Sequence, residues 1–332
     1  MKKTIPMILA AATALPFSAN VLAEGPIDGK VYGKINLTVV SEKAKTGNTT
    51  TKDDSSMTSN ASRFGFKGKT DLENDLKAIY QLEYEIAPHT GDAGGTGDEF
   101  KQRNSFVGIK SNFGTVIAGI HDTPLKLAQK KVDLFNDLHK ADIKELVYGE
   151  ERVKNAAMYT SPSFSGVKVA VMRQFHDESA NGDAGTSASI SYKQKGLYLA
   201  LATDSKVDDA TSNKDVTRVV AQYKIDNYTV GALFNQSQDS AKTKKEGSGY
   251  VLSGAYKMNN TTLKLQLGSS DEKGQVAVGS TAAAITTDQI AFGVDQKLGK
   301  QTKVFAYYSA LDDDATSKKE TTTMGLGIEH KF

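Results

Sequence analysis

Cysteine is absent from the 332 residues, so neither a disulfide framework nor a thiolate metal site is open to this chain. That absence also fits, weakly, a compartment that oxidises thiols. Tryptophan is absent too, which leaves tyrosine and phenylalanine to occupy any interfacial position. No excess of basic charge is present. The formal net charge is +2, and Lys2 and Lys3 account for all of it, so nothing suggests a nucleic-acid partner. Beyond residue 23 no apolar run approaches the ~20 residues that a membrane-crossing helix needs. Hydropathy alone therefore reads the chain as soluble. That reading fails if the chain crosses as strands, where half of the side chains face water.

What is present begins with a leader. Lys2 and Lys3 precede a stretch from Ile5 to Ala14 that is apolar apart from Pro6 and Thr13, and Val21, Leu22 and Ala23 follow at the spacing of a cleavage site. This is the pattern of a secretory signal peptide over 1–23, cut after Ala23, with a mature domain over 24–332. A membrane anchor would be longer and would not end in Pro16, Ser18 and Asn20.

The mature chain is written in period two. Leu76, Ala78, Tyr80, Leu82, Tyr84 and Ile86 alternate with Lys77, Ile79, Gln81, Glu83 and Glu85, and Leu263, Leu265 and Leu267 alternate with Lys264 and Gln266. Such alternation makes strands with one apolar and one polar or mixed face. Sixteen segments follow this rule, near 30–41, 61–70, 76–87, 103–111, 115–122, 153–160, 167–176, 186–194, 197–204, 216–224, 228–237, 248–257, 261–270, 286–297, 302–311 and 321–332. Most match the ~9–11 residues of a tilted membrane strand.

The connections alternate as well. Seven are short, at 71–75, 111–114, 163–166, 195–196, 226–227, 259–260 and 298–301, and they hold Asn, Asp, Gly and Ser, which tolerate or stabilise tight turns. Eight are longer and polar. Short turns at one end and long loops at the other mark an all-β fold, a sixteen-stranded antiparallel transmembrane β-barrel. In hydrocarbon every backbone N–H and C=O needs a partner, and only a closed sheet supplies all of them without an edge. A barrel of this size leaves an aqueous channel, so no packed hydrophobic core is expected, in line with the 39% hydrophobic content. Phe113, Phe164, Tyr198, Tyr223, Tyr228 and Tyr256 beside the short turns are candidates for the interfacial girdle. The chain stops on Phe332 inside the last strand, unusual for a soluble fold.

Taken in order, several segments resemble one family. They are Val31-Tyr32-Gly33-Lys34, the run from Ser62 to Gly68, the run from Leu76 to Glu83, the run from Tyr159 to Gly166, and the terminal Glu329-His330-Lys331-Phe332. The chain resembles the trimeric general porins of Gram-negative outer membranes over its whole mature length. The resemblance implies a homotrimer in lipid and lipopolysaccharide, a terminal Phe332 read by the barrel-insertion machinery, and passive diffusion of small hydrophilic solutes and ions without a cofactor. It also implies that the third long connection, 123–151, folds inward. There Leu125, Ala128, Val132, Phe135 and Leu138 recur at three- and four-residue steps, which points to an amphipathic helix in part of the loop.

A pore works by its width and by the charges at its narrowest point. The resemblance implies a basic wall facing carboxylates on the inward loop, and the matching wall positions are Lys34, Arg63, Arg103 and Arg152. Alternation puts Lys34 with Tyr32, Asn36 and Thr38, and Arg63 with Gly65 and Lys67, so both face the lumen. Arg103 is ambiguous, because Val107 and Ile109 share its side. The loop supplies Asp133, Asp137, Asp142, Glu145, Glu150 and Glu151 against five lysines, and the first four are the candidate constriction acids. Ile120 stands where many members carry a basic residue, and Lys154 where an acid is common, and on balance a weak anion preference is expected. Asp312, Asp313 and Asp314 lie in a loop where Ca²⁺ or Mg²⁺ could bridge lipid phosphates, although a solvated loop tip is the favoured reading. The histidines at 89, 121, 139, 176 and 330 show no ligand spacing, and His330 falls on the lipid side near the periplasmic rim. Competing functions are a solute-specific channel, a barrel lipase or protease, and a secreted β-sandwich. The first needs a lumen ladder of aromatics or basic groups and the second a Ser-His or Asp-His pair on adjacent strands. The third would leave the protein water-soluble.

Overall fold

The computed structural model describes residues 28–95, 97–175, 184–207 and 214–332. The expected leader over 1–23 and His176 lie outside the described residues.

Eighteen strand segments form one sheet. In chain order they are β1 (Asp28–Thr46), β2 (Thr49–Ser59), β3 (Arg63–Asp71), β4 (Lys77–Glu85), β5 (Lys101–Gln102), β6 (Ser105–Ser111), β7 (Gly114–Asp122), β8 (Arg152–Thr160) and β9 (Val167–Gln174). They continue as β10 (Thr186–Gln194), β11 (Leu197–Val207), β12 (Lys214–Ile225), β13 (Tyr228–Asp239), β14 (Gly247–Met258), β15 (Thr261–Gly274), β16 (Ile285–Lys297), β17 (Thr302–Asp313) and β18 (Lys319–Lys331). β2 and β3 both pair with β1, and β5 and β6 both pair with β4. The segments therefore fill sixteen places. β18 pairs with β1 from Lys34↔Lys331 to Thr46↔Lys319, which closes the antiparallel barrel. The terminal residue takes part: Gly33 N donates to Phe332 O at 3.0 Å, and Phe332 N to Gly33 O at 3.1 Å.

The burial pattern inverts that of a soluble protein. Val39, Val107, Leu201, Phe234, Leu252, Phe292 and Leu326 are exposed on the outside, whereas Asn36, Arg218, Asn235 and Gln266 are buried within. A continuous apolar exterior around a polar interior is a membrane surface. The seven short turns fall where expected, with left-handed backbone at Asn74, Asp75, Ser165, Lys195, Asp226 and Asn259. The first long connection does not: β1 runs to Thr46, turns at Gly47 and returns as β2, so most of 42–60 is regular hairpin. Of the candidate girdle aromatics, Phe113, Phe164, Tyr223 and Tyr228 are exposed, and Tyr228 stacks on Tyr256 with centroids 4.6 Å apart. Tyr198 is a correction. It points inward, buried, and its hydroxyl donates to Ala128 O at 3.1 Å.

Segment 123–151 lies inside the barrel, where the expected helix is present but short and one expectation is overturned. Only α1 (Pro124–Ala128) and a 3-10 turn over Ile143–Glu145 are helical. Asp133 and Asp142 accept from the N–H groups of Phe135, Asp137 and Lys144, and such side-chain bonds compete with helix. The expected absence of a packed core is corrected as well. Leu125, Ala128, Val132, Leu146 and Val147 pack on Tyr198, Val216, Val220, Leu233 and Val251 of the wall. Farther along, Phe135 and Leu138 pack on Val40, Ala291, Phe305 and Tyr307. A Cβ at wall residue Gly268 would stand 2.3 Å from Leu146 Cδ1, so glycine there makes room for the loop.

Candidate functional site

Because the loop is fastened to the β11–β17 side, the open lumen lies between it and the wall of β1 and β3–β8. Two chambers meet there. The outer one, about 650 Å³, is lined by Arg63, Arg103, Asp122, Lys126, Asp137 and Arg152 among others. The inner one, about 360 Å³, is lined by Lys34, Arg63, Lys131, Asp137, Lys264 and Lys303 among others. Arg63, Asn136 and Asp137 line both, which makes them the throat.

Each wall cation is held by a carboxylate or amide on a neighbouring strand. Arg103 donates from Nε to Glu83 Oε1 at 2.9 Å and from Nη1 to Glu85 Oε2 at 2.5 Å. Arg152 donates to Asn104 Oδ1 at 2.8 Å and lies 2.9 Å from Asp122 Oδ1. Arg63 is the least neutralised, with its nearest carboxylate oxygen, on Glu83, at 4.0 Å. Lys34 lies 3.3 Å from Asp137 on the loop and 3.8 Å from Glu329 on β18. Arg103 reaches the lumen because of a bulge. Tyr84 pairs with Gln102 but Gln81 pairs with Phe106, so β5–β6 spends four steps where β4 spends three. The extra residue reverses the alternation, turning Arg103 inward while Val107 and Ile109 face out.

Among the candidate loop acids only Asp137 bridges to the wall within the described residues. Burial alone would raise its carboxyl, but Lys34, Arg63 and Arg103 together hold it below the usual carboxylate range. Asp133 lines the inner chamber and Asp142 the outer, and both spend their oxygens on loop N–H groups. Burial pushes both upward, and Asp142 adds to the rise at Asp133. Glu145 pairs with Lys140 within the loop at 3.1 Å and lines neither chamber. Ile120 and Lys154 line the outer chamber. Asp313 and Asp314 at the β17–β18 end accept backbone N–H bonds from Lys319 and Thr286 at 2.7 Å each. His330 is exposed on the outer face beside Thr302 Oγ1, 2.8 Å away.

The sequence reading missed the wall acids Glu83, Glu85, Asp122 and Glu329, although Glu83 and Glu85 sit on the polar face of the alternation already quoted. It also missed the clasp that holds the end of the loop. Arg218, fully buried, donates from Nη1 to Glu150 Oε1 at 2.7 Å, from Nη2 to Tyr148 O at 2.7 Å and from Nε to Asn235 Oδ1 at 2.9 Å. Glu272 completes it by accepting Tyr148 N at 3.0 Å. Gly149, at φ +93°, passes between: a Cβ there would stand 2.3 Å from Leu125 Cδ2.

Known proteins share this architecture. Major outer membrane protein P.IB of Neisseria meningitidis serogroup A is 27% identical over 289 residues, covering 82% of this chain and 83% of the relative. An anion-selective porin from Comamonas acidovorans superposes with a TM-score of 0.76 at 20% identity, over 92% of this chain and all of the other. The trimer form of OmpT, an outer membrane protein of Vibrio cholerae, gives 0.68 at 16% identity, over 92% and 99%. The family model of Gram-negative porins matches residues 7–316. A closed barrel with a greasy exterior, a charged lumen and this family match together mean that the chain belongs to the Gram-negative porins, outer-membrane channels through which small hydrophilic solutes diffuse passively.

Proposed function

We propose that the chain is a general diffusion porin with a weak anion preference, working as a homotrimer and performing no chemistry on what it passes. The selectivity step is assigned to the throat, where Arg63, Arg103 and Lys34 on the wall face Asp137 on the loop. The observation that carries the preference is the charge of the lining. The outer chamber counts eight basic side chains against five carboxyls, and the inner six against four. Screening acts over ~8 Å at physiological salt, so these groups govern passing ions and the outer rim does not. The trimer form of a solved neighbour supports the assembly. The insertion signal is assigned to Phe332, whose backbone pairs with Gly33 at the closing seam.

Planar-bilayer recording under a KCl gradient tests this reading. Conductance lost in three equal steps supports the trimer, and a reversal potential of anion sign supports the preference. Arg63→Ala and Arg103→Ala shift that potential toward cations, and Asp137→Asn shifts it toward anions. If neither arginine variant moves it, the throat assignment is wrong; a cation-selective wild type would refute the anion preference.

A further inference from the structure

The inner chamber carries a positive excess that ion pairing does not remove. Lys264 and Lys303 share one carboxylate, Asp295, at 2.9 Å each. Lys34 and Lys331 share Glu329, at 3.8 and 3.3 Å, and Lys34 also takes Asp137. Lys131, exposed on the loop, has no carboxylate within 4.0 Å among the described residues. Arg63 overhangs the same space with its nearest carboxylate oxygen among the described residues, on Glu83, 4.0 Å away. The remaining lining carboxyl, Asp133, is buried and committed to the N–H groups of Phe135 and Ile143, and burial with Asp142 beside it pushes it well above the usual carboxylate range.

We propose that this chamber is a retention site for small polyanions, compounds with two or more phosphate or carboxylate charges on a compact frame. The inference rests on the anion-preferring reading above and deepens it from ion preference to a binding site. Three features argue for retention rather than passage alone. The chamber, about 360 Å³, falls in the size range of small-molecule sites. Its cations come from three directions, with Lys131 on the loop, Lys264 and Lys303 on β15 and β17, and Lys34 and Lys331 at the closing seam, so a compact solute meets several at once. A monovalent ion gains from one such contact, whereas a polyanion gains from several together. Lys131 is free to turn toward a guest, and Lys303 is held by one carboxylate that it shares with Lys264. Lys264 is held more tightly, because it also donates to Leu134 O at 3.2 Å.

The test uses inorganic pyrophosphate as the probe, added to trimers in planar bilayers carrying chloride current. The wild type should show saturable block. Lys131→Gln/Lys303→Gln should raise the half-blocking concentration at least tenfold. Lys101→Gln/Lys154→Gln, which removes two charges from the outer chamber, should leave it within about twofold. Failure of saturable block in the wild type overturns the inference, as does equal weakening by the two double variants, which would mean general lumen charge and no site. The reversal potential in KCl, measured on each channel before pyrophosphate is added, separates the two claims. A channel that prefers chloride but is not blocked refutes the site and leaves the preference standing. The heat-resistant trimer on gels confirms that each variant is folded, so a missing block is not a missing barrel.

Discussion

Replacing Arg218 by alanine should loosen one end of the constriction loop without releasing the whole of it. The side chain is fully buried and makes three hydrogen bonds of 2.7–2.9 Å, two of them to the loop. Removing it leaves the Glu150 carboxylate in a buried place with Gln129 Nε2, at 3.0 Å, as its remaining donor. Breaking a buried charged pair from one side costs about 3–5 kcal/mol, so the unclasped loop end gains population on the order of 10³-fold, at 1.4 kcal/mol per tenfold. The rest of the loop stays put. Leu125, Val132 and Phe135 are fully buried against the wall, and each contributes about 1.5–3 kcal/mol. Leu146 and Val147 are held in the same way, so the motion is confined to the stretch near 148–151, which feeds into Arg152. Single-channel records of Arg218→Ala should show added open-channel noise and a modest change in conductance, and its trimers should unfold at lower temperature. Removing both charges as Arg218→Met/Glu150→Met should restore most of the quiet current, since an apolar pair of similar volume often replaces a buried ion pair at little cost. A single variant as quiet and as heat-stable as the wild type would refute the clasp. So would a double variant whose defects are the sum of the two singles.

Gly149→Ala strikes the same clasp from the backbone: φ is +93° and the new Cβ would meet Leu125 at 2.3 Å. Strain of this kind costs about 1–3 kcal/mol, so heat unfolding of the trimer should come at lower temperature, with Gly91→Ala in an open loop as the control for the positive φ alone. Between pH 8 and 5 exposed carboxylates, with ordinary values near ~4, stay ionised. Asp133, raised by burial and by Asp142, takes up its proton before they do as pH falls, and the reversal potential should move further toward anions. The readout is the smaller shift in Asp133→Asn than in the wild type. The folded chain binds that proton more tightly than the unfolded one, so this group's contribution to stability is largest at the acid end and falls as pH rises through its folded value. Asp137 runs the other way. Its lowered carboxyl keeps the ion pair with Lys34 above the usual carboxylate range, and that contribution is lost only as pH falls through the depressed value.

How much of this was legible follows from what period two encodes. It reports which of two sides a residue faces. Where the two sides are lipid and water it works: Lys34 and Arg63 read as inward, and the structure places both on the lumen, with Val31, Val39 and Phe66 exposed on the other face. It fails in three places, each for its own reason. At Arg103 one extra residue between Gln102 and Phe106 resets the phase, and nothing in the local composition marks a bulge. Along β2 the segment from Thr49 to Ser59 is polar on both faces apart from Met57, so the alternation vanishes and a strand looks like a loop. Beneath the inward loop the inner face is itself apolar, with Val216 and Val220 buried on the same side as Arg218. Inside and outside then look alike, and Arg218 among them looks accidental. The loop's own spacing was legible as a buried face but not as a shape. Leu125, Val132 and Phe135 are buried as a helix face would be, yet Asp133 and Asp142 supply acceptors that let the backbone leave the helix. The barrel follows from a two-medium code. The constriction follows from the places where a third environment, the protein's own loop, replaces one of the two media, and there the wall side chains are chosen to fit that loop.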